Sequence, residues 1–412
     1  MHKAHVSPRY VPAELRGGEQ FIRILSEHAA KDEETTVLTS NANDLRGNLG
    51  LHGDYYFKEK TATIKGVRVI RFPVMPEVSH ALKRAEPMLR FLSADWRRYP
   101  PLDNIHVLGW GPFTPSMKLH IEFSNYDLVH AAIWPTTTLF VSFLACKKAN
   151  IPFVITPFYH YRLKEFTHSG ALRKMLPFCS AVIAVTEGER IALLKIGAHP
   201  ERTFVVPLAL DLSPNLGNGA KFREKHDLEG KFIVFANPWM GKGIGDVLVA
   251  LKKLSKEFHN LALVTFGQPD PEYLNLVSQL TPLGFTILNL GWIYGQEKFD
   301  MFAGSDLLAL PSISDAFGMV YLEAWAAGKP VIGAKQTAVE FIIKDGKDGF
   351  LVEVKDVHNL ALKIKQLLEN PKMRIKMGEN GRNRVREEFT PARMTHIFNR
   401  ALKKSLELGL PY

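Results

Sequence analysis

With 412 residues, 46% of them hydrophobic and 23% charged, the chain is too long for one compact core and has the balance of an ordinary soluble protein, so two domains are expected. Two cysteines, Cys146 and Cys179, exclude a disulfide framework or a cysteine metal site and fit a reducing, cytoplasmic setting. The net charge of +10 is uneven: residues 1–208 carry 26 Lys and Arg against 19 Asp and Glu, the remainder 26 against 23, which suits an anionic acceptor, a membrane surface or simply a solvated basic face in the first half.

The opening MHKAHVSPRYVP lacks the apolar run of a signal peptide, and AAIWPTTTLFVSFLA is too short and polar to span a bilayer, so any membrane contact is expected to be peripheral. KAHVSPRY reads as a first strand and GEQFIRILSEHAAK as an amphipathic helix, with Gly17 and Gly18 in the turn between them. TTVLTSNAND and GVRVIRFPV give two more strands. Between Val78 and Leu102, Arg84, Arg90, Arg97 and Arg98 are interleaved with Met88, Phe91, Trp96 and Tyr99; such a helix lies either on an anionic lipid surface or on its own sheet. NIHVLGWG reads as a strand and loop, DLVHAAIW as another, and IPFVITPFYH as a further strand ending at His160. Tyr161 to Phe178 again mixes basic and apolar residues, among them Lys164 and Phe166, and SAVIAVTEGERIALLKIGA gives a strand and helix before TFVVPLAL closes the first domain.

The Asn- and Gly-rich SPNLGNGAKFREKHDLEG marks the crossing into a second domain. KFIVFANPW is a buried strand, MGKGIGDVLVALKKLSKE a glycine-rich turn and helix, and LALVTFGQ, FTILNLGWI and DLLALP continue a βα alternation whose ligand belongs at the carboxyl ends of the strands. Helices are expected over Asp356–Asn370, Pro371–Glu388 and Pro391–Leu408.

The densest stretch is PSISDAFGMVYLEAWAAG, Pro311 to Gly328. Ser312, Ser314 and Asp315 are N-cap residues, the pattern turns helical from about Phe317, and Gly328 with Pro330 ends it. A helix start beside Gly318 gathers unpaired amides and a dipole end, a site for phosphate. Glu323, about two turns in and roughly 9 Å away, is placed to accept hydrogen bonds from ribose hydroxyls.

At these residues the chain resembles the retaining glycosyltransferases of family 4, whose signature is P-S-x-x-E-x-F-G, four residues, then E-A-x-A-x-G-x-P-V. It stands here as Pro311-Ser312, Asp315, Phe317-Gly318, Glu323-Ala324, Ala326, Gly328 and Pro330-Val331. The family's G-R-x-x-x-x-K-G is met by Lys242-Gly243, with Asn237 at the arginine position, and Asp315 stands where Glu is usual. A glycine pair usual before Glu340 is absent, with Gln336 and Thr337 nearby.

The resemblance implies an α/β GT-B fold, two Rossmann-like doubly wound domains facing across a cleft. Residues 1–208, with a C-terminal helix of about 391–412 crossing back, would bind the acceptor, and residues 209–390 the nucleotide-sugar donor. Implied catalytic residues are Asp315, Lys242 and His160. Donor contacts would come from Asn237, Gly241, Lys242, Asp315, Phe317, Gly318, Met319, Val320 and Glu323, and acceptor contacts from Gly17, Gly18 and His160. The implied reaction moves a sugar from a UDP- or GDP-sugar to a glycan or lipid-linked acceptor with retention, without metal or other cofactor, in the cytoplasm or at the inner face of the membrane, and without nucleic acid. A GT-B epimerase or hydrolase and a non-catalytic nucleotide-sugar binding protein are the alternatives.

Overall fold

The computed structural model describes the chain except residues 14, 16, 44–55, 93–99, 164–166, 213–216, 229, 236, 294 and 412. Trp96, Arg97, Arg98, Tyr99, Lys164 and Phe166 of the basic-apolar stretches therefore lie outside the described residues. Two compact units form, residues 1–209 with 391–412, and residues 210–390.

In the first unit, eight strands, β1 (Lys3–Ser7), β2 (Thr35–Ser40), β3 (Thr61–Ile64), β4 (Val67–Phe72), β5 (Leu128–Ala132), β6 (Phe153–Thr156), β7 (Ala181–Ala184) and β8 (Thr203–Val205), make one sheet. Their order is β3-β4-β2-β1-β5-β6-β7-β8. All pairs are parallel except β3–β4, a hairpin whose turn residues Lys65 and Gly66 both have positive φ (47° and 83°). That is the type I′ turn matching strand twist. Strands β1, β2, β5, β6 and β7 are buried on both faces, as in a covered parallel sheet, with Lys3, His5 and His130 the large polar residues among otherwise apolar or small ones.

Helices α1 (Gly17–Ala29), α2 (Pro76–Leu92), α3 (Pro100–Gly109), α4 (Pro115–Glu122), α5 (Thr137–Ala149), α6 (Gly170–Met175) and α7 (Glu187–Lys195) connect these strands. NIHVLGWG, expected as a strand, lies within α3 and its end. Pro100 and Pro101 open the helix, where a missing N–H costs nothing, and buried Asp103, His106 and Val107 share one face at helical spacing. The strand expected to end at His160 stops at Thr156, before Pro157. Gly17 and Gly18 are not in a turn; they are the first residues of α1.

The second unit has a six-stranded, all-parallel sheet of β9 (Lys231–Phe235), β10 (Leu261–Thr265), β11 (Thr286–Asn289), β12 (Leu307–Ala309), β13 (Val331–Ala334) and β14 (Gly349–Val352). The order β11-β10-β9-β12-β13-β14 reverses direction between β9 and β12. Helices α8 (Gly219–Lys225), α9 (Ile244–Leu254), α10 (Pro271–Leu280), α11 (Gly295–Gly304), α12 (Met319–Ala326), α13 (Val357–Glu369) and α14 (Pro371–Glu388) complete the unit, whose core holds Tyr273, Phe302, Tyr321 and Trp325. The final helix, α15 (Pro391–Glu407), packs on the first unit, where Met394, Phe398 and Leu402 are buried. Among the described residues no helix is long and apolar enough to cross a membrane.

Candidate active site

In an open α/β sheet the crevice forms where strand order reverses, beyond the carboxyl ends of the two strands that diverge. In the second unit those strands are β9 and β12, and the loops leaving them are residues 237–243 and 310–318. The two loops are laced together: Gly241 O accepts from the Ile313 amide at 3.2 Å and from Ser312 Oγ at 3.5 Å. Gly243, at φ 79°, is pressed so close to Pro311 that a Cβ would collide with the Pro311 carbonyl. Only glycine combines that dihedral with that approach.

This lacing brings Lys242 and Asp315 together. Lys242 Nζ donates to Asp315 Oδ1 at 2.6 Å and to the Ser314 carbonyl at 3.1 Å. The side chains are 19% and 12% exposed, open enough to meet a ligand and dry enough for the charges to count. Among the described residues Asp315 Oδ2 is buried without a hydrogen-bond partner. Tyr321 lies beneath, donating to the Leu310 carbonyl at 2.6 Å; burial, reinforced by the Asp315 charge, pushes its pKa far upward and keeps the phenol protonated.

Ser312, Ser314 and Asp315 do not cap the following helix. Its N-cap is Gly318, left-handed at φ 89° and with no side-chain cap, and α12 begins at Met319. Ser312 Oγ instead accepts from the Ser314 amide at 3.2 Å, shaping the loop. The start of α12 is thus free of any side-chain competitor, and the Met319 and Val320 amides stand at its positive end. Because the helix starts two residues later than the pattern suggested, Glu323 is about one turn in, roughly 6 Å along the axis from Met319. Its carboxylate is paired with Lys298 of α11 at 2.6 Å. Phe317 is buried against Phe389, ring centroids 6.1 Å apart, so it anchors the loop.

Asn237 sits in the first loop, accepting from the Trp239 amide at 2.8 Å; Trp239 is exposed, and Gly241 passes close over its ring. Further along, Glu340 accepts from the Gln336 amide at 2.6 Å.

The first unit has its own reversal, between β1 and β5. There Gly18 lies against Ile133 and Phe158, and a Cβ would stand 2.7 Å from Ile133 Cγ1. Its lack of a side chain serves helix-to-loop packing. Arg9 and Glu19 form a buried bidentate pair at 2.8 and 2.7 Å beside it. His160 is half-buried, four residues beyond β6. The loop before it is fixed by Glu189 of α7, which accepts from the Tyr159 amide at 2.5 Å and the Val185 amide at 2.6 Å.

Arg9, Glu19, Glu189 and Lys298 were not singled out from the sequence. Only Glu189 had a local signal, standing three residues after the N-cap Thr186 in a capping-box pattern. Among the described residues no group of three or more His, Cys, Asp or Glu is placed to hold a metal ion.

Two doubly wound sheets with this strand order define the GT-B fold, and solved structures agree. Anabaena Alr3699/HepE in complex with UDP and glucose superposes with a TM-score of 0.72 at 19% identity, covering 98% of this chain and all of that one. Sequence comparison adds to this. A glycosyl transferases group 1 model matches residues 220–384, and a glycosyltransferase family 4 model matches residues 95–214. The chain thus carries a glycosyl transferases group 1 domain and a glycosyltransferase family 4 domain.

Among curated relatives, the trehalose synthase of Pyrococcus horikoshii is 32% identical over 162 residues, 37% of this chain and 38% of its own length. The chain thus matches well under half of that enzyme. The D-inositol 3-phosphate glycosyltransferase of Corynebacterium efficiens is 26% identical over 317 residues, 70% of this chain and 74% of its own.

Proposed function

We propose that the protein is a retaining glycosyltransferase moving a hexosyl group from a UDP- or GDP-sugar to a glycan or lipid-linked acceptor. The observation that carries this reading is the Lys242–Asp315 pair, with one carboxylate oxygen unpartnered among the described residues, beside the uncapped start of α12. Lys242 and the Met319 and Val320 amides hold the donor diphosphate and take up charge as the bond to the anomeric carbon breaks. Asp315 Oδ2 accepts from a hydroxyl of the donor sugar, and Glu323 from the ribose. Asn237, Gly241, Phe317 and Gly318 shape the same site, with no metal ion required.

The first unit holds the acceptor through the α1 start at Gly17 and Gly18 and through His160. Exposed Leu119 and Phe123, four residues apart at the end of α4, support a peripheral contact with membrane at the cytoplasmic face. The glycosyl transferases group 1 match and the UDP and glucose held by the Anabaena protein support the donor class.

The test is a thermal-shift panel of UDP, GDP, ADP and CMP with their sugar conjugates on the wild type and on Glu323→Ala, followed by assay of nucleotide release with candidate acceptors. A ligand bound only by the folded state raises melting with dose. The expected result is a shift with one diphosphate series, reduced in Glu323→Ala, and release that depends on acceptor. Release without acceptor would replace transfer by hydrolysis or epimerisation, and no shift with any nucleotide would remove the donor site altogether.

A further inference from the structure

A second charged cavity lies in the donor unit, at the amino ends of β12 and β13 and so on the opposite edge of the sheet from Lys242. It measures about 590 Å³, and its charged lining consists, among the described residues, of Arg223, Lys329, Arg382 and Asp306. Arg374 stands behind them. The Asp306 carboxylate is shared between Arg223 at 3.1 Å and Arg374 at 3.3 Å. Arg382 is laid over Gly328, whose φ of 71° and missing Cβ admit the guanidinium, and its Nε donates to the Ala326 carbonyl at 3.2 Å.

Lys329 is left over. Among the described residues its half-buried ammonium makes neither an ion pair nor a side-chain hydrogen bond. Burial lowers its pKa, Asp306 opposes the shift, and Arg223, Arg374 and Arg382 add to it. Four cations crowd one carboxylate in a partly dry recess, so a multivalent anion entering it relieves repulsion among all of them at once. Guanidinium groups match the paired oxygens of phosphate, and a lysine adds a point charge. The volume exceeds that of phosphate alone and falls within the range of small-ligand sites.

We propose that this cavity binds a terminal phosphate group, either inorganic phosphate or the phosphate of a small phosphorylated metabolite, through Lys329, Arg382 and Arg223 and independently of the donor site. Nothing in the donor chemistry uses these residues.

The experiment is calorimetric titration, with thermal shift, at low ionic strength and constant chloride. The probes are inorganic phosphate and glucose 6-phosphate, on the full chain as wild type, Lys329→Gln, Lys329→Arg and Lys242→Gln. The proposal expects dose-dependent binding to the wild type, kept in Lys329→Arg and in Lys242→Gln and weakened at least tenfold in Lys329→Gln. Lys329→Gln should keep the wild-type response to UDP and melt no lower than wild type without phosphate, since it removes an uncompensated charge. Should it fail to fold, Lys329→Met, which keeps the apolar stem, carries the comparison.

Tighter binding of glucose 6-phosphate would assign the cavity to an organic phosphate, and equal binding to inorganic phosphate. Undiminished binding in Lys329→Gln, loss of binding in Lys242→Gln, or no binding to the wild type would each overturn the proposal.

Discussion

Lys242 is held by two acceptors and by a neighbouring glycine that admits no substitute, so its replacement separates charge from geometry. Lys242→Gln keeps the stem and removes the ammonium; donor diphosphate affinity is expected to fall about 10- to 100-fold, as for a charge-assisted hydrogen bond of roughly 1.5–3 kcal/mol. Isothermal titration with the responding nucleotide measures it, and unchanged affinity would place the diphosphate elsewhere. Gly243→Ala leaves every charge intact yet imposes a strained φ, about 1–3 kcal/mol, and a clash with Pro311. Its expected signature is a lower urea midpoint together with weaker donor binding, because the β9 and β12 loops can no longer lie together. At this scale the sequence was informative where spacing brings side chains together: Lys242 pairs with Asp315, and Gly318 is the N-cap of α12. It misplaced the cap, because Ser312, Ser314, Asp315 and Gly318 are all acceptable caps locally and the choice falls to the left-handed turn at Gly318. It could not show Lys298, whose pairing with Glu323 joins residues 25 apart.

Between strands β1 and β5 the first unit buries two histidines, His5 and His130, with Nδ1 atoms 3.0 Å apart and His130 Nε2 2.8 Å from Thr156 Oγ1. Burial, with Lys3 adding to it, lowers the pKa of His5 to about 3, and burial with His5 nearby lowers that of His130. Unfolded histidines titrate near 6.5, so below that pH the unfolded chain takes up protons that the folded one refuses. The stability is complete above the unfolded value and is lost as pH falls from there toward the folded values. Glu189 acts with the opposite sign. Burial pushes it up to about 8 against the pull of its two amide bonds, so its contribution is complete below the carboxylate's unfolded value and is lost as pH rises through about 8. The comparison therefore has to be made between variants. From pH 7.5 to 5.5, His5→Gln with His130→Gln should lose less stability than wild type by about 1 kcal/mol per histidine. Urea midpoints at the two pH values measure it, and parallel losses would mean that the pair titrates normally when folded. Buried parallel strands such as β5 and β7 were legible because their short, mostly apolar runs, bounded by turn and polar residues, fit a covered sheet. The 100–109 helix was misread because IHVLG is short, apolar and ambiguous between strand and helix; its opening prolines and the one-sided burial of Asp103, His106 and Val107 settle the matter. The β3–β4 hairpin was missed although Lys65-Gly66 provides its turn, because TATI is an exposed edge with little apolar signal.

Across the whole molecule, two βα series were readable as two sheets, but the assignment of α15 to the first one came from resemblance alone, since an amphipathic helix does not name the surface it covers. The structure supplies the contacts. Met394, Phe398 and Leu402 are buried, and the Phe398 ring lies 4.8 Å from that of His130. Ser405 Oγ donates to the Ser180 carbonyl at 2.8 Å. Arg202 donates to the carbonyls of Leu408 at 2.9 Å and Gly409 at 3.0 Å, gathering oxygens that the helix end leaves unpaired. Each large apolar side chain contributes roughly 1.5–3 kcal/mol by burial, so the helix is worth several kcal/mol, comparable to the net stability of a domain. A chain ending at Thr390 should therefore lose the first unit while the second still folds. In calorimetry the transition belonging to residues 1–209 should vanish or fall steeply, with the transition of residues 210–390 retained. Removal of Phe398 also opens the histidine pair to water, so any residual structure in the first unit should lose the acid sensitivity attributed to that pair. If both transitions survive unchanged, α15 is an appendage and the burial of Phe398 does not hold the first sheet together.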